Sequence, residues 1–264
     1  MHFVREGRGA PPLVFVHGFL CSHEDWNFQL TELKNDHEVV ACDLRAHGRT
    51  PGRPHEVSIE HFGGDVAALV SNLDFSKVFL VGHSMGCRVV LEANRIAPER
   101  VAGIVLIDGS RAGSGDPKAA EAAARASIEQ AGYKAFAENL FRQMFFEQTP
   151  ATERLVQRAV RQSAEIGAAL WPRMARWDAA MLETALAAVR APVLVVQTTT
   201  RNADGRRGPL QAGQTSPYID LLKTSLNDVK IQVLAGLGHF PQLEAPQRVN
   251  ALIADFVRSA AARR

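Results

Sequence analysis

The sequence predicts an α/β protein: a mostly parallel, doubly wound sheet with a helical cap inserted into it. Three observations carry the prediction. Short, β-branched apolar runs recur along the 264 residues, helix-like segments lie between them, and one long stretch breaks that rhythm. Nearly continuous apolar strands suit a sheet covered on both faces. Regular alternation with helices makes parallel strand order the natural outcome.

The strand-like runs are Leu13–Val16, Glu38–Cys42, Lys77–Val81, Gly103–Ile107, Val193–Gln197 and Val229–Leu234. Helix-like segments fall at 24–34, 58–72, 85–97, 216–226 and 244–262. In the last of these, Val249, Leu252, Ile253, Phe256 and Val257 recur at helical spacing and make one apolar stripe. The tail 258–264 is Ala-rich and ends in arginines, and it is expected to fray. Residues 112–188 hold no convincing strand and are rich in Ala, Arg, Glu and Gln. They read as a helical cap, with 1–111 and 189–264 forming the core. Trp171, Met174, Trp177 and Met181 lie in the second half of the cap. Packing of helices on the sheet accounts for at least two of them, and Trp171 and Trp177 are candidates to line a substrate pocket beneath the lid.

Composition narrows the function. Thirty basic and 28 acidic side chains leave a formal charge of +2, which gives no reason to expect a nucleic-acid partner. Cys21, Cys42 and Cys87 are scattered and odd in number, so neither a disulfide framework nor a metal site is implied. No apolar run is long enough for a membrane span, and the opening residues do not read as a signal peptide. The expected setting is cytoplasmic, as a monomer or a homodimer.

The chemistry-bearing residues cluster at strand ends. Val81-Gly82-His83-Ser84-Met85-Gly86 joins a strand-like run to a helix-like one. A serine hydroxyl is a poor nucleophile unless it is exposed, held still and set beside a base, and a Gly-x-Ser-x-Gly turn meets the first two needs. Val14-Phe15-Val16-His17-Gly18-Phe19 runs another strand into a His-Gly turn. The backbone amides of Phe19 and Met85 are candidates for an oxyanion hole. His17 is expected to anchor its loop rather than act as a base. After the last strand comes Gly236-Leu237-Gly238-His239-Phe240-Pro241, whose histidine can reach over the sheet as general base, with Phe240 beside the substrate.

With these pieces assembled, the chain resembles the α/β-hydrolase superfamily along nearly its whole length. The resemblance rests on the His17-Gly18 loop, the Asp43–Thr50 loop, the Ser84 turn and the Gly238-His239 loop, and it is nearest to the cap-bearing esterase, haloperoxidase-like and C–C hydrolase branch. It implies a helical lid, no cofactor, and a small-molecule ester or related carbonyl substrate. It also implies that Phe3–Glu6 matches the family's second strand, leaving the first strand absent. Asp43 reads as a structural turn, and Arg45 and His47 as solvated or loop-anchoring residues. Cys87 stands where a third glycine is common and reads as a buried structural thiol. Dehalogenases and epoxide hydrolases of this fold need a carboxylate where this chain has Ser84.

The expected activity is cleavage of an ester or lactone of a small, fairly apolar compound by an acyl-enzyme route. Alternatives are C–C bond hydrolysis or perhydrolysis with the same residues, or non-catalytic ligand reception. The acid that should orient His239 is missing from its usual place after strand 193–197, where Arg201 stands. Asp108, directly after strand 103–107, is the expected substitute, and Asp204 the alternative. Segment 198–217 is long for a connection and reads as an exposed loop. Its Arg201, Arg206 and Arg207 form either a basic surface or a carboxylate grip turned into the pocket.

Overall fold

A computed structural model describes residues 1–202 and 206–263. Its central sheet, among the described residues, has seven strands: β1 (Phe3–Glu6), β2 (Leu13–Val16), β3 (Val39–Cys42), β4 (Val78–His83), β5 (Val101–Ile107), β6 (Val193–Gln197) and β9 (Val229–Val233). Between the last two lies a separate hairpin of β7 (Thr199–Arg201) and β8 (Arg207–Pro209). The sheet order is β1-β3-β2-β4-β5-β6-β9, and only β1 runs antiparallel to its neighbour.

Alternation along the strands divides the core. Val14, Val16, Val40, Cys42, Leu80 and Leu106 face one side. That side is covered by α2 (Ile59–Asn72), α3 (Met85–Ile96) and α9 (Pro217–Ser225). Leu13, Phe15, Val39, Phe79, Val81 and Val105 face the other. There they meet α1 (Asn27–Leu33) and the stripe of α11 (Pro246–Ala261), with the short α10 (Pro241–Glu244) just before it. Both faces are therefore dry, as continuous apolar strands require.

Five helices stand between β5 and β6: α4 (Pro117–Ala131), α5 (Tyr133–Arg142), α6 (Pro150–Arg161), α7 (Ala164–Ala180) and α8 (Leu182–Ala187). Polar clamps tie them to the sheet layer. Arg158 meets Asp25 at 2.5 Å, and Arg173 donates to the carbonyls of Pro54 and Val57. Arg88 of α3 meets Asp178 of α7 through two bonds of 2.6 and 2.7 Å, with Arg88 3% and Asp178 0% exposed.

Three expectations need correction. Segment 198–217 is not an unstructured loop, because β7 and β8 pair within it and Leu210 donates to the Thr198 carbonyl. These strands are three residues each and contain Gly208 and Pro209, so they show no strand-like pattern. The tail does not fray at 258, since α11 continues to Ala261 with Val257 and Ala260 buried. The helix at 24–34 begins as a 3₁₀ turn, His23–Trp26, before α1.

Candidate active site

The order of the sheet reverses direction at β2 and β4, where β3 lies to one side and β5 to the other. Chains leave such a switch point on opposite faces and open a crevice at the strands' C-terminal ends. Val16 and Gly82 are register partners there, so the His17-Gly18 loop and the Ser84 turn meet.

Ser84 has φ 55° and ψ −112°, the strained bend that lifts its hydroxyl off the sheet. The crossing of β4 and α3 is too tight for side chains at Gly82 and Gly86. A Cβ would stand 2.4 Å from the Gly86 carbonyl oxygen in the first case and 2.2 Å from that of Val16 in the second. Ser84 itself is half-buried, and its amide donates to the Ile107 carbonyl at 2.9 Å.

Its hydroxyl lies 2.8 Å from His239 Nε2, and His239 Nδ1 lies 2.5 Å from Asp108 Oδ2. Nδ1 donates to the carboxylate, which leaves Nε2 as the acceptor of the serine proton. The histidine backbone is fixed from three directions. Its amide donates to the Met144 carbonyl at 2.7 Å, its carbonyl accepts from His83 Nε2 at 2.7 Å, and Thr198 Oγ1 donates to the preceding Gly238 carbonyl at 2.6 Å. Met144 belongs to the inserted helical region, so that region helps hold the imidazole.

Asp108 follows β5 with φ 44° and is fully buried. Its Oδ1 accepts the amides of Thr198 and Thr199, both at 2.8 Å. Its Oδ2 accepts Thr199 Oγ1 at 2.5 Å and Arg207 Nη1 at 3.2 Å. The turn after β6 thus supplies donors to the acid rather than the acid itself. Burial pushes the Asp108 carboxyl above its ordinary value, while Arg207 and the threonine bonds act against that rise. His239 is held well below its ordinary value by burial first, then by Arg207, Arg201 and Arg88. It is therefore neutral and able to accept a proton at neutral pH. Asp204 lies outside the described residues.

The amide of Met85 opens α3, and that of Phe19 lies on the loop beside Ser84: a Cβ at the preceding Gly18 would sit 3.2 Å from Ser84 Cβ. Neither amide finds a backbone acceptor among the described residues. Both are thus free to donate to an anion, with the helix N-terminus adding favourable field. Trp171 packs on Phe19, ring centroids 5.5 Å apart, and Phe240 lies 5.5 Å from the His239 ring. Trp177 and Phe240, both expected beside the substrate, are each 1% exposed within the core cluster, Phe240 stacked on Phe145 at 5.0 Å, so both are packing positions.

His17 donates through Nδ1 to the Gly18 carbonyl and accepts the Leu44 amide at Nε2, so it ties two loops together. Burial is the main cause that brings it down to about 3. His47 is buried, bonded to the Arg45 carbonyl, and Arg45 pairs with Asp65. Asp43 accepts the His23 amide and ring and the Arg49 amide. His2, His23 and Asp43 bring possible metal-ligand atoms within 4.8 Å, but the Asp43 oxygens are already taken by those donors. Burial pushes the Cys87 thiol up to about 12, and it donates to the Gly82 carbonyl.

Sequence reasoning missed Thr199, Arg88 and Asp178, and it named Arg207 without its contact to Asp108. Of these, only Arg88 left a trace: it stands four residues after Ser84, on the same helical face, in an otherwise apolar first half of α3. Arg207, expected at an exposed loop, has a side chain only 4% exposed because the hairpin folds it onto Asp108.

A strained serine at a strand–helix turn, facing a histidine backed by a buried carboxylate at a sheet switch point, defines a hydrolase-type constellation on an α/β sheet. Residues 13–252 match the model of the alpha/beta hydrolase family, and the chain belongs to that family. It is similar to a dihydrolipoyllysine-residue acetyltransferase component of an acetoin cleaving system from Pseudomonas putida, 39% identical over 38% of this chain and 27% of that protein. It is also similar to a non-heme haloperoxidase from Rhodococcus erythropolis, 36% identical over 40% of this chain and 39% of that one. The match spans well under half the length of these curated relatives. Among solved structures, a thermophilic esterase from Thermogutta terrifontis with malate bound superposes with a TM-score of 0.80 at 26% identity, covering 98% of this chain and 93% of that one. No described helix is long and apolar enough to cross a membrane.

Proposed function

We propose that this protein is a serine hydrolase that cleaves a carboxylic ester or lactone of a small substrate through an acyl-enzyme. The reading rests on one observation: the unbroken relay from Ser84 Oγ through His239 to the buried Asp108. His239 Nε2 takes the serine proton as Oγ attacks the carbonyl carbon. The oxyanion is held by the amides of Phe19 and Met85, and the alcohol leaves with the proton from Nε2. Water then repeats the sequence on the acyl group and restores the serine. Asp108 stays ionised and stabilises the imidazolium. Trp171, packed on Phe19, supplies apolar surface for the substrate, and the five helices between β5 and β6 serve as its lid.

The test is hydrolysis of short 4-nitrophenyl esters. Ser84→Ala removes turnover, and Asp108→Asn lowers kcat by about 10⁴-fold because the imidazole loses its tautomer. Asp204→Asn changes kcat less than about twofold, because this reading gives that carboxylate no part in the relay. Full loss with Asp204→Asn and retention with Asp108→Asn contradicts the assignment.

A further inference from the structure

The loop that delivers His239 is loose by composition. Ala235-Gly236-Leu237-Gly238 precedes the histidine, Gly236 stands at φ 80°, and glycine has the most backbone freedom to lose on folding. Beside the loop lies a cavity of about 320 Å³, lined by its Gly236 and Leu237 and by Phe145, Phe146 and Leu155 of the inserted region. Ser84, His239 and Asp108 are not among the described residues lining it, so the loop can yield into this space away from them. Catalysis requires the opposite. The imidazole must keep 2.8 Å to Ser84 Oγ and 2.5 Å to Asp108 Oδ2 at the same time.

One side chain on the cavity wall works against such movement. Glu244 Oε2 accepts the Gly238 amide at 2.7 Å, and its Oε1 accepts the Phe240 amide at 3.1 Å. The two oxygens thus bracket His239, whose own amide donates to the Met144 carbonyl at 2.7 Å. Gly238 and Phe240 are both buried, and buried amides need acceptors. The fit is close: a Cβ at Gly238 would stand 2.5 Å from the Met144 carbonyl oxygen and 2.8 and 3.0 Å from the Glu244 oxygens. Glu244 ends α10, and that helix is tied to α1, since the Gln242 carbonyl accepts Gln29 Nε2 at 3.1 Å.

We infer that Glu244 is a positioning residue for the reaction: its carboxylate pins the two amides that flank His239 and so keeps the imidazole in reach of Ser84 and Asp108. The inference rests on the serine hydrolase reading above. Glu244 touches neither substrate nor reacting atoms and acts through His239 alone. A carboxylate is needed because both partners are donors. The amide of a glutamine offers one accepting oxygen and turns its own N–H donors toward the second backbone amide.

The test measures kcat and KM for 4-nitrophenyl butyrate in the wild-type protein, Glu244→Gln and Glu244→Ala. Glu244→Gln lowers kcat by about tenfold and Glu244→Ala by about 10²-fold, the scale of a 1 Å misplacement. KM stays within about twofold, because His239 serves both acylation and deacylation and the two slow together. Labelling of Ser84 by a fluorophosphonate still goes to completion in both variants but slows with kcat. Glu244 is exposed, so both variants fold and melt within about 4 °C of the wild type. A wild-type kcat and labelling rate in the two variants, a loss carried by KM alone, or a lowered melting temperature with kcat of the folded protein unchanged overturns the inference and leaves the ester hydrolase standing. If the wild-type protein cleaves no ester and Ser84 resists the probe, the serine reading fails, and this one with it.

Discussion

Replacing Arg207 with glutamine moves the acid limb of the pH profile to higher pH. His239 works as a base only when neutral, so kcat/KM falls as pH drops through its pKa. Burial and nearby arginines hold that pKa low, so the wild-type protein keeps its activity into acid. Arg207 Nη1 and His239 Nδ1 contact the same Asp108 oxygen, at 3.2 and 2.5 Å. Two nitrogens so placed are within about 6 Å of each other, and at an effective dielectric near 20 their charges repel by roughly 3 kcal/mol, or about two pKa units. Loss of that cation also makes Asp108 a better partner for the imidazolium, which acts in the same direction. Allowing for the added hydration of a less charged pocket, the limb rises by about one to two units. The assay is kcat/KM for 4-nitrophenyl heptanoate, whose neutral acyl group avoids any effect on substrate charge. An unmoved limb, or one displaced to lower pH, refutes the electrostatic role given to Arg207.

Two further perturbations concern the frame around the site. Arg88→Met strands the fully buried Asp178 carboxylate, which then retains, among the described residues, only the Ala112 amide at 2.5 Å, and costs about 3–5 kcal/mol of unfolding free energy. The double change Arg88→Met/Asp178→Leu recovers most of that loss in urea titrations, and a double variant no more stable than the single one contradicts the buried-pair account. His17, His47, His83 and His239 are all buried with pKa values lowered chiefly by desolvation, His17 to about 3. Their folded pKa values lie below the unfolded value of 6.5, so the unfolded chain binds more protons and stability falls as pH drops below about 6.5. By pH 5.5 His17, held at about 3, alone contributes roughly 1.4 kcal/mol of loss, readable as a declining urea midpoint, and a flat midpoint across that interval contradicts it.

Local signals made most of the scaffold legible. Five of the six runs became strands buried on both faces, which need apolar side chains at nearly every position and so are visible without knowing their neighbours, while the sixth, the edge strand β9, alternates Val, Lys, Ile, Gln and Val. The Ser84 turn and the Gly238-His239 loop were visible for the same reason, since each is written in a few consecutive residues. Asp108 could be singled out by its place at the end of β5, but its neighbours could not. Thr198 and Thr199 donate to it from another strand end, and Arg207 reaches it from 99 positions downstream. A three-residue strand pair carries no periodicity, so the hairpin that buries Arg207 read as a solvated loop. The same holds for Arg88 and Asp178. Each looks like a surface charge until the fold brings them face to face.

The most direct trial is a fluorophosphonate probe followed by peptide mass spectrometry. A single phosphonyl adduct on Ser84, forming more slowly once His239 is protonated and missing from Ser84→Ala, is the expected result. Folded protein that stays unmodified at that hydroxyl, or that reacts only elsewhere, contradicts the relay on which the account stands.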